Sequence, residues 1–408
     1  MKNSIGIVAE YNPFHNGHAL HLAEARRLAG ENLPAVTVMS GSFMQRGEPA
    51  FASKWLRARC AITCGADLVF ELPVVFSCRS AEFFAKGAVQ LLSATGVVKY
   101  LAFGAETADS NTLTQAAAYI NSHQDELRQI IQSGTSYAAA QTQLLQNAGI
   151  NFCADKANDI LALEYCRALQ KYAPEIEPLV IRRQGADYND VSISNSYASA
   201  SAIRREYSSN GMTDSILEQL PVETHKFLQE AAQTGQLGFD EKLLNTLIIY
   251  KLQMLNETQI ASACECSEGL EYRLKQFASA AAMEEIINSA AGKRYTKSRI
   301  RRLLMQLLLD TCKNNFTNAQ PQYLRLLAFN SRGAGLLSQM RTTAKLTVIT
   351  KLGRNFKNCR TVNEAVDAQI LQQLQLDITA ANITELLRPT RQNLYNSDFF
   401  HSPEYIQQ

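Results

Sequence analysis

Three of the chain's six histidines, His15, His18 and His21, fall within the stretch AEYNPFHNGHALHL at residues 9–22. The apolar run SIGIVA precedes them, Asn12-Pro13 and Gly17 mark a turn, and helical spacing follows. Imidazoles placed this way can ligate a metal, move a proton or bind phosphate. A helical zinc site favours two histidines four residues apart, with a third ligand and an acid. Here His15 and His18 are three apart, no third ligand is evident, and His21 reads as packing along the helix. Phosphate fits better. A helix N-terminus that follows a buried parallel strand favours anions. Gly17 allows a close backbone approach, and two imidazoles can donate to phosphoryl oxygens as charge develops in a transition state.

The elements around this turn follow an alternating pattern. SIGIVAEY, AVTVMSG, DLVFELPVVF, VVKYLAFGAE and IEPLVIRRQG read as strands. HALHLAEARRLAG, KWLRARCAITCGA, SAEFFAKGAVQLLSATG and ANDILALEYCRALQKY read as helices between them. Strand and helix in alternation predict a parallel, Rossmann-like α/β sheet. A Ser-rich stretch, SNSYASASAIRREYSSNG, opens a further short helix. Beyond residue 212 helical periods dominate, with KLTVITKL as one short β-like interruption. The expected division is therefore an α/β domain over residues 1–210 and a mainly helical domain over 211–408.

Charge sets the second part apart. The whole chain of 408 residues carries a net +2, yet residues 293–360 hold fifteen Lys or Arg and a single acid, Asp310. Solvated helix faces usually mix signs, so this excess predicts a polyanion partner. In KRYTKSRIRRLL the cations Lys293, Arg294, Lys297, Arg301 and Arg302 fall near one face of a helix and suit RNA phosphates. Tyr295, Phe316, Tyr323 and Phe356 are aromatics in the same region that can either stack on unpaired bases or pack in the core. The nine cysteines form no CxxC pair, which points to reduced thiols rather than a zinc site. The N-terminus lacks a signal-peptide layout and no apolar run reaches spanning length, so a cytoplasmic protein without membrane contact is expected.

HNGH after a strand resembles the HxGH signature of the nucleotidyltransferase superfamily (HUP-type α/β domains). ASASAIR, Ala198 to Arg204, resembles that superfamily's later ISSTxxR signature, with Ser199, Ser201 and Arg204 at the hydroxyl and guanidinium positions and Ala198 and Ala200 departing from it. GIVAEYNPFHNGH, MSGSFMQRGEPA, GADLVFELPVVFS, SAEFFAKGAV, FGAET, ANDILALEY, SAIRREY, YTKSRIRRLLMQLLL and YLRLLAFNSRGAGLL, in that order, resemble the bacterial tRNA(Met) cytidine acetate ligase family along nearly the whole chain. That resemblance implies ATP-dependent activation of acetate to acetyl-adenylate, with ATP accompanied by Mg²⁺. The acetyl group then passes to N4 of the wobble cytidine of elongator tRNA(Met). The competing expectations are a nucleotidyltransferase acting on a small phosphorylated metabolite, and an RNA-binding regulator with a degenerate nucleotide site.

The resemblance also assigns residues. His15, His18, Ser201 and Arg204 would be catalytic, positioning two anions and stabilising phosphoryl charge. The segment Ile7, Val8, Ala9, Glu10, Tyr11, Asn12, Pro13, Phe14, His15, Asn16, Gly17, His18, Ala19 and Leu20 matches an ATP-binding loop. Gly104, Asn158 and Arg183 match further nucleotide contacts, with Arg182 the alternative to Arg183 and with Asp159 where the family has a second Asn. Gln45, Arg46 and Glu48 border the same cleft and can meet acetate, ribose or cytidine. Asp67 and Glu71 either hold Mg²⁺ with the phosphates or serve the strand ends.

Overall fold

Strand β1 (Ser4–Ala9) pairs in parallel with β2 (Ala35–Ser40) on one side and with β4 (Val98–Ala105) on the other. β3 (Leu68–Leu72) extends the sheet beyond β2, and β5 (Glu177–Arg182) extends it beyond β4, both again parallel. The computed structural model describes residues 3–106, 109–182, 198–267, 269–292, 294–316, 319–355, 366–392 and 395–407. Alternate residues of each strand enter opposite cores. Ile5, Ile7, Ala35 and Met39 face a layer that includes Leu22, Ala25, Trp55 and Ile62, whereas Val36, Val38, Phe70 and Leu101 face one that includes Phe84, Leu92 and Leu163. This two-sided covering by helices is what an almost purely parallel sheet requires. The expected third strand is shorter than its apolar run: Pro73 ends it, and Val74–Ser77 turns into a helix.

The sheet does not end where the composition changes. β6 (Tyr323–Phe329) pairs antiparallel with β3, and β7 (Thr347–Ile349) and β8 (Glu404–Tyr405) pair with β6. The order is β5-β4-β1-β2-β3-β6-β7, with β8 also on β6. The expected boundary near residue 210 thus separates compositions but leaves the sheet shared across it. YLRLLAF reads as helical by its leucines, and it forms a strand because both of its faces are buried. Its Arg325 is buried beside a closed ionic group: Lys54 Nζ lies 2.8 Å from Glu71 Oε2 and 2.6 Å from Asp398 Oδ2.

Between Asp214 and Leu308 the chain is mainly helical, and Lys297–Leu308 buries Ile300, Leu303, Leu304 and Leu307. No helix among the described residues is long and apolar enough to cross a membrane. The eight described cysteines are unpaired, and burial pushes the Cys60, Cys78 and Cys166 thiols up to about 12.

Candidate active site

The strand order reverses between β1 and β4, since β2 and β3 lie on one side of β1 and β4 on the other. Ligands of open parallel sheets bind at such a switch point, outside the carboxyl ends of the strands. A cleft of about 1030 Å³ opens there. The HNGH turn leaves β1 into it, and Gly104 at the end of β4 lines it.

The turn is held by its own histidines. His15 is the N-cap of helix Asn16–Ala29, and its Nδ1 accepts the Gly17 N–H at 3.1 Å. His18 Nδ1 accepts the His15 N–H at 3.2 Å, which completes a capping box built from imidazoles. A neutral imidazole that accepts through Nδ1 carries its proton on Nε2. Both residues line the cleft, each with Nε2 as the ring nitrogen left to carry the proton. The rings lie 3.8 Å apart between centroids, and His18 packs against Tyr11 and Phe14. A Cβ on Gly17 would come 2.9 Å from His15 Cε1 and 3.1 Å from Nδ1, so the glycine is what lets the His15 ring fold back over the helix start.

The second signature is joined to the first. Ser199 caps helix Ala200–Asn210, and its hydroxyl lies 3.0 Å from that of Ser201. Arg204 Nη1 donates to the Asn12 carbonyl at 2.9 Å, and its Nη2 lies 2.9 Å from Glu48 Oε2. Gln219, which sequence reasoning missed, fixes the register between them. Its carbonyl accepts the Asn16 N–H at 2.9 Å, and its side-chain oxygen accepts the Ala198 N–H at 2.8 Å.

The strand ends are closed by a buried guanidinium. Arg57 donates to the Glu10 carbonyl at 2.7 Å, to the Ser40 carbonyl at 2.9 Å and to the Gly41 carbonyl. Glu10 lines the cleft with its Oε1 accepting the Gln45 N–H at 2.7 Å. Loss of hydration raises its carboxyl pKa, which that N–H and Arg204 oppose.

Most expected nucleotide contacts converge. Ile7, Val8, Ala9, Glu10, Tyr11, Asn12, His15, Gly17, His18 and Leu20 line the cleft with Gly104, Asn158, Ser199 and Arg204. Pro13, Phe14, Asn16, Ala19 and Ser201 are not among the lining residues; Phe14 is buried behind His18, and Ser201 reaches the site through Ser199. His21, expected to pack along the helix, lines the cleft. Asn158 donates to Glu106 Oε1 at 2.6 Å. Asp159 is fully buried and accepts the Glu106 N–H at 2.7 Å, so it anchors the end of β4 rather than facing a nucleotide. Arg182 lines the cleft, and Arg183 and Lys293 lie outside the described residues.

Asp67 and Glu71 are committed elsewhere. Asp67 takes the Ala35 N–H at 2.8 Å, Arg26 at 2.7 Å and Asn330 at 2.9 Å, and Glu71 is paired with Lys54. Neither has the spare oxygens a Mg²⁺ ion needs. No group of three or more His, Cys, Asp or Glu among the described residues is arranged to hold a metal.

The basic helix meets the same cleft. Arg294, Arg299 and Arg302 line it, and Lys297 is exposed. Arg302 departs from the expected basic face: its side chain is 8% exposed and its Nε lies 2.8 Å from Glu265 Oε2. Arg301 pairs with Glu284 and stands 3.8 Å from Glu48. Tyr295, Phe316 and Tyr323 are buried, so none of them offers a stacking face, and Phe356 lies outside the described residues. Glu265, also missed from sequence, gathers this corner by accepting the Ser80 N–H at 2.7 Å as well.

A strand-end turn with a histidine-capped helix and a trailing Ser/Arg helix start defines a class. Residues 1–398 match the family model described as HIGH Nucleotidyl Transferase, and the chain belongs to that family. Within it the chain is similar to proteins named tRNA(Met) cytidine acetate ligase. It is 35% identical to that of Acetivibrio thermocellus, with 93% of this chain and 94% of the relative covered. It is 36% identical to that of Syntrophomonas wolfei, with 94% and 95% covered. The crystal structure of apo Thermotoga maritima TmcAL superposes with a TM-score of 0.92 at 32% identity, and the form bound with alpha-thio ATP with 0.90 at 31%, each covering 100% of both chains.

Proposed function

We propose that this protein is an ATP-dependent tRNA(Met) cytidine acetate ligase acting in the cytoplasm. An acetate oxygen attacks the α-phosphorus of ATP, pyrophosphate leaves, and acetyl-adenylate forms. The N4 amine of the wobble cytidine of elongator tRNA(Met) then attacks the acetyl carbon, AMP leaves with the bonding electrons, and the amine nitrogen gives up one proton to solvent. Acetate alone is a poor acyl donor; the mixed anhydride supplies a good leaving group. The observation that carries the reading is the His15–His18 pair, with each Nδ1 engaged in the cap, in one cleft with Arg204 and the arginines of the basic helix.

In this reading His15 and His18 donate to phosphoryl oxygens and Arg204, with Ser199 and Ser201, neutralises the departing pyrophosphate. Mg²⁺ would travel on the nucleotide's own oxygens, since the acids near the sheet ends are otherwise engaged. Arg294, Lys297 and Arg301, with Lys293, would hold RNA phosphates.

The test is incubation with ATP, labelled acetate and bulk tRNA, followed by nucleoside analysis. The expected result is labelled N4-acetylcytidine with AMP and pyrophosphate. Nucleotide turnover that ignores both acetate and tRNA would overturn the reading. His18→Ala should abolish acetate-dependent ATP–pyrophosphate exchange while leaving tRNA affinity within about two-fold, because phosphate contacts carry most RNA affinity.

A further inference from the structure

The cleft continues past the phosphate-binding turn into a lobe at the start of helix Ala81–Thr95, where Arg79, Ser80 and Phe83 line it. The Arg79 guanidinium carbon lies 3.9 Å from the Phe83 ring centroid. The Arg79 side chain is 4% exposed, yet its Nε donates no hydrogen bond, and the nearest carboxylate oxygen, on Glu265, is 3.6 Å away. A buried donor left without an acceptor is costly. Here it belongs to a planar cation laid against a half-buried aromatic ring, in a wall shared with Arg299 and Arg302. Lys86 Nζ stands 6.0 Å from the same ring, adding a further positive group.

This lobe adjoins the chemistry. Gln45 joins the two through successive bonds, its backbone N–H to Glu10 Oε1 at 2.7 Å and its side chain to the Arg79 carbonyl at 3.1 Å. An aromatic ring backed by a guanidinium plane is a platform of the kind on which unpaired RNA bases stack.

We infer that the Arg79–Phe83 lobe is a nucleobase subsite that seats the unpaired acceptor base of the RNA against the exposed part of the Phe83 ring, with the Arg79 guanidinium backing the ring. The inference rests on the acetyl-transfer reading above. Adenine from ATP is the other source of the same chemistry, and the experiment separates the two.

Phe83→Leu keeps apolar bulk and removes the stacking face; Phe83→Trp keeps the face; Arg79→Lys keeps charge and removes the plane. Each is compared with the parent in acetate-dependent ATP–pyrophosphate exchange and in single-turnover acetyl transfer to a tRNA(Met) transcript, with thermal melting as the folding control. In Phe83→Leu and Arg79→Lys, transfer should fall about ten-fold more than exchange, and Phe83→Trp should restore it. Equal losses in both steps, unchanged transfer in Phe83→Leu, or a raised ATP KM in exchange would overturn the assignment, the last by giving the lobe to adenine. A parent protein that never labels tRNA would defeat the acetyl-transfer reading itself; a parent that labels tRNA and Phe83 and Arg79 variants that do so at the parent's rate would defeat only the lobe.

Discussion

Glu48 Oε2 lies 2.9 Å from Arg204 Nη2, and the other oxygen of the same carboxylate lies 3.8 Å from Arg301. The guanidinium that trails the second signature is thus held by an acid that also touches the basic helix. The loop carrying Glu48 is seated tightly there: a Cβ on Gly47, at φ +79°, would strike the backbone of Arg301 and Arg302. On the proposed function, a triphosphate entering the cleft would compete with Glu48 for Arg204.

Glu48→Gln removes that competitor. The pair is partly exposed, at 19% and 29%, so its worth is no more than about 1 kcal/mol. The ATP KM in acetate-dependent pyrophosphate exchange should fall by up to about five-fold. A KM that rises would show that Glu48 positions Arg204 for the nucleotide instead.

Gly17→Ala places a methyl group against the His15 ring. The ring must rotate away, which breaks the bond to the Gly17 N–H and half of the capping box. Loss of an N-cap costs about 1 kcal/mol. The expected outcome is a modest drop in melting temperature and a loss of adenylate formation of more than about ten-fold, because a misplaced catalytic group costs far more in rate than in stability.

Arg302 and its neighbours should separate by assay. Arg302→Ala leaves Glu265 buried without its nearest cation, at a stability cost of about 3 kcal/mol, since Arg79 and the Ser80 N–H remain nearby. Lys297→Ala should leave denaturant midpoints unchanged and flatten the salt dependence of tRNA binding by about one unit of slope. Equal salt slopes for the parent and Lys297→Ala would remove that lysine from the interface.

Asp377 gives the fold a pH dependence of its own. The carboxyl is buried, accepts the Val74 N–H at 2.7 Å and the Tyr323 hydroxyl, and burial pushes its pKa up to about 7. A raised carboxyl pKa means that the folded state binds the proton more tightly than the unfolded one. Its contribution is full below the ordinary Asp range and is lost as pH rises through about 7. Urea midpoints of the parent should therefore decline from pH 5 to pH 8 relative to those of Asp377→Asn. Parallel curves for the two proteins would remove this group as the cause.

That the HNGH and ASASAIR signatures would meet at one cleft was legible because their determinants are local. Strand, Pro-Gly turn and helix start sit within one short stretch, and HNGH and ASASAIR each mark a helix N-terminus. What the sequence hid depends on long-range contact. Gln219 acts through one backbone carbonyl and one amide, with no periodic signal to announce it. Glu265 lies in an ordinary turn between two cysteines, and its role follows from Arg79, Ser80 and Arg302 converging on it. The aromatics of the basic stretch looked available because composition does not report burial, whereas Tyr323 sits in a strand that a leucine-rich run disguised. Asp67 and Glu71, read as possible magnesium ligands, were spoken for by Asn330, hundreds of residues from Asp67, and by Lys54, which Glu71 shares with the likewise distant Asp398.

The late arrival of β6 has a consequence for synthesis. While the ribosome makes the first 320 or so residues, the outer edge of β3 has no covering strand, an open edge of the kind that invites mispairing. Closure waits for Tyr323–Phe329, and the Asp398 that neutralises Lys54 follows later still. An interrupted product therefore lacks a finished sheet and leaves the buried Lys54 with only one of its two acids.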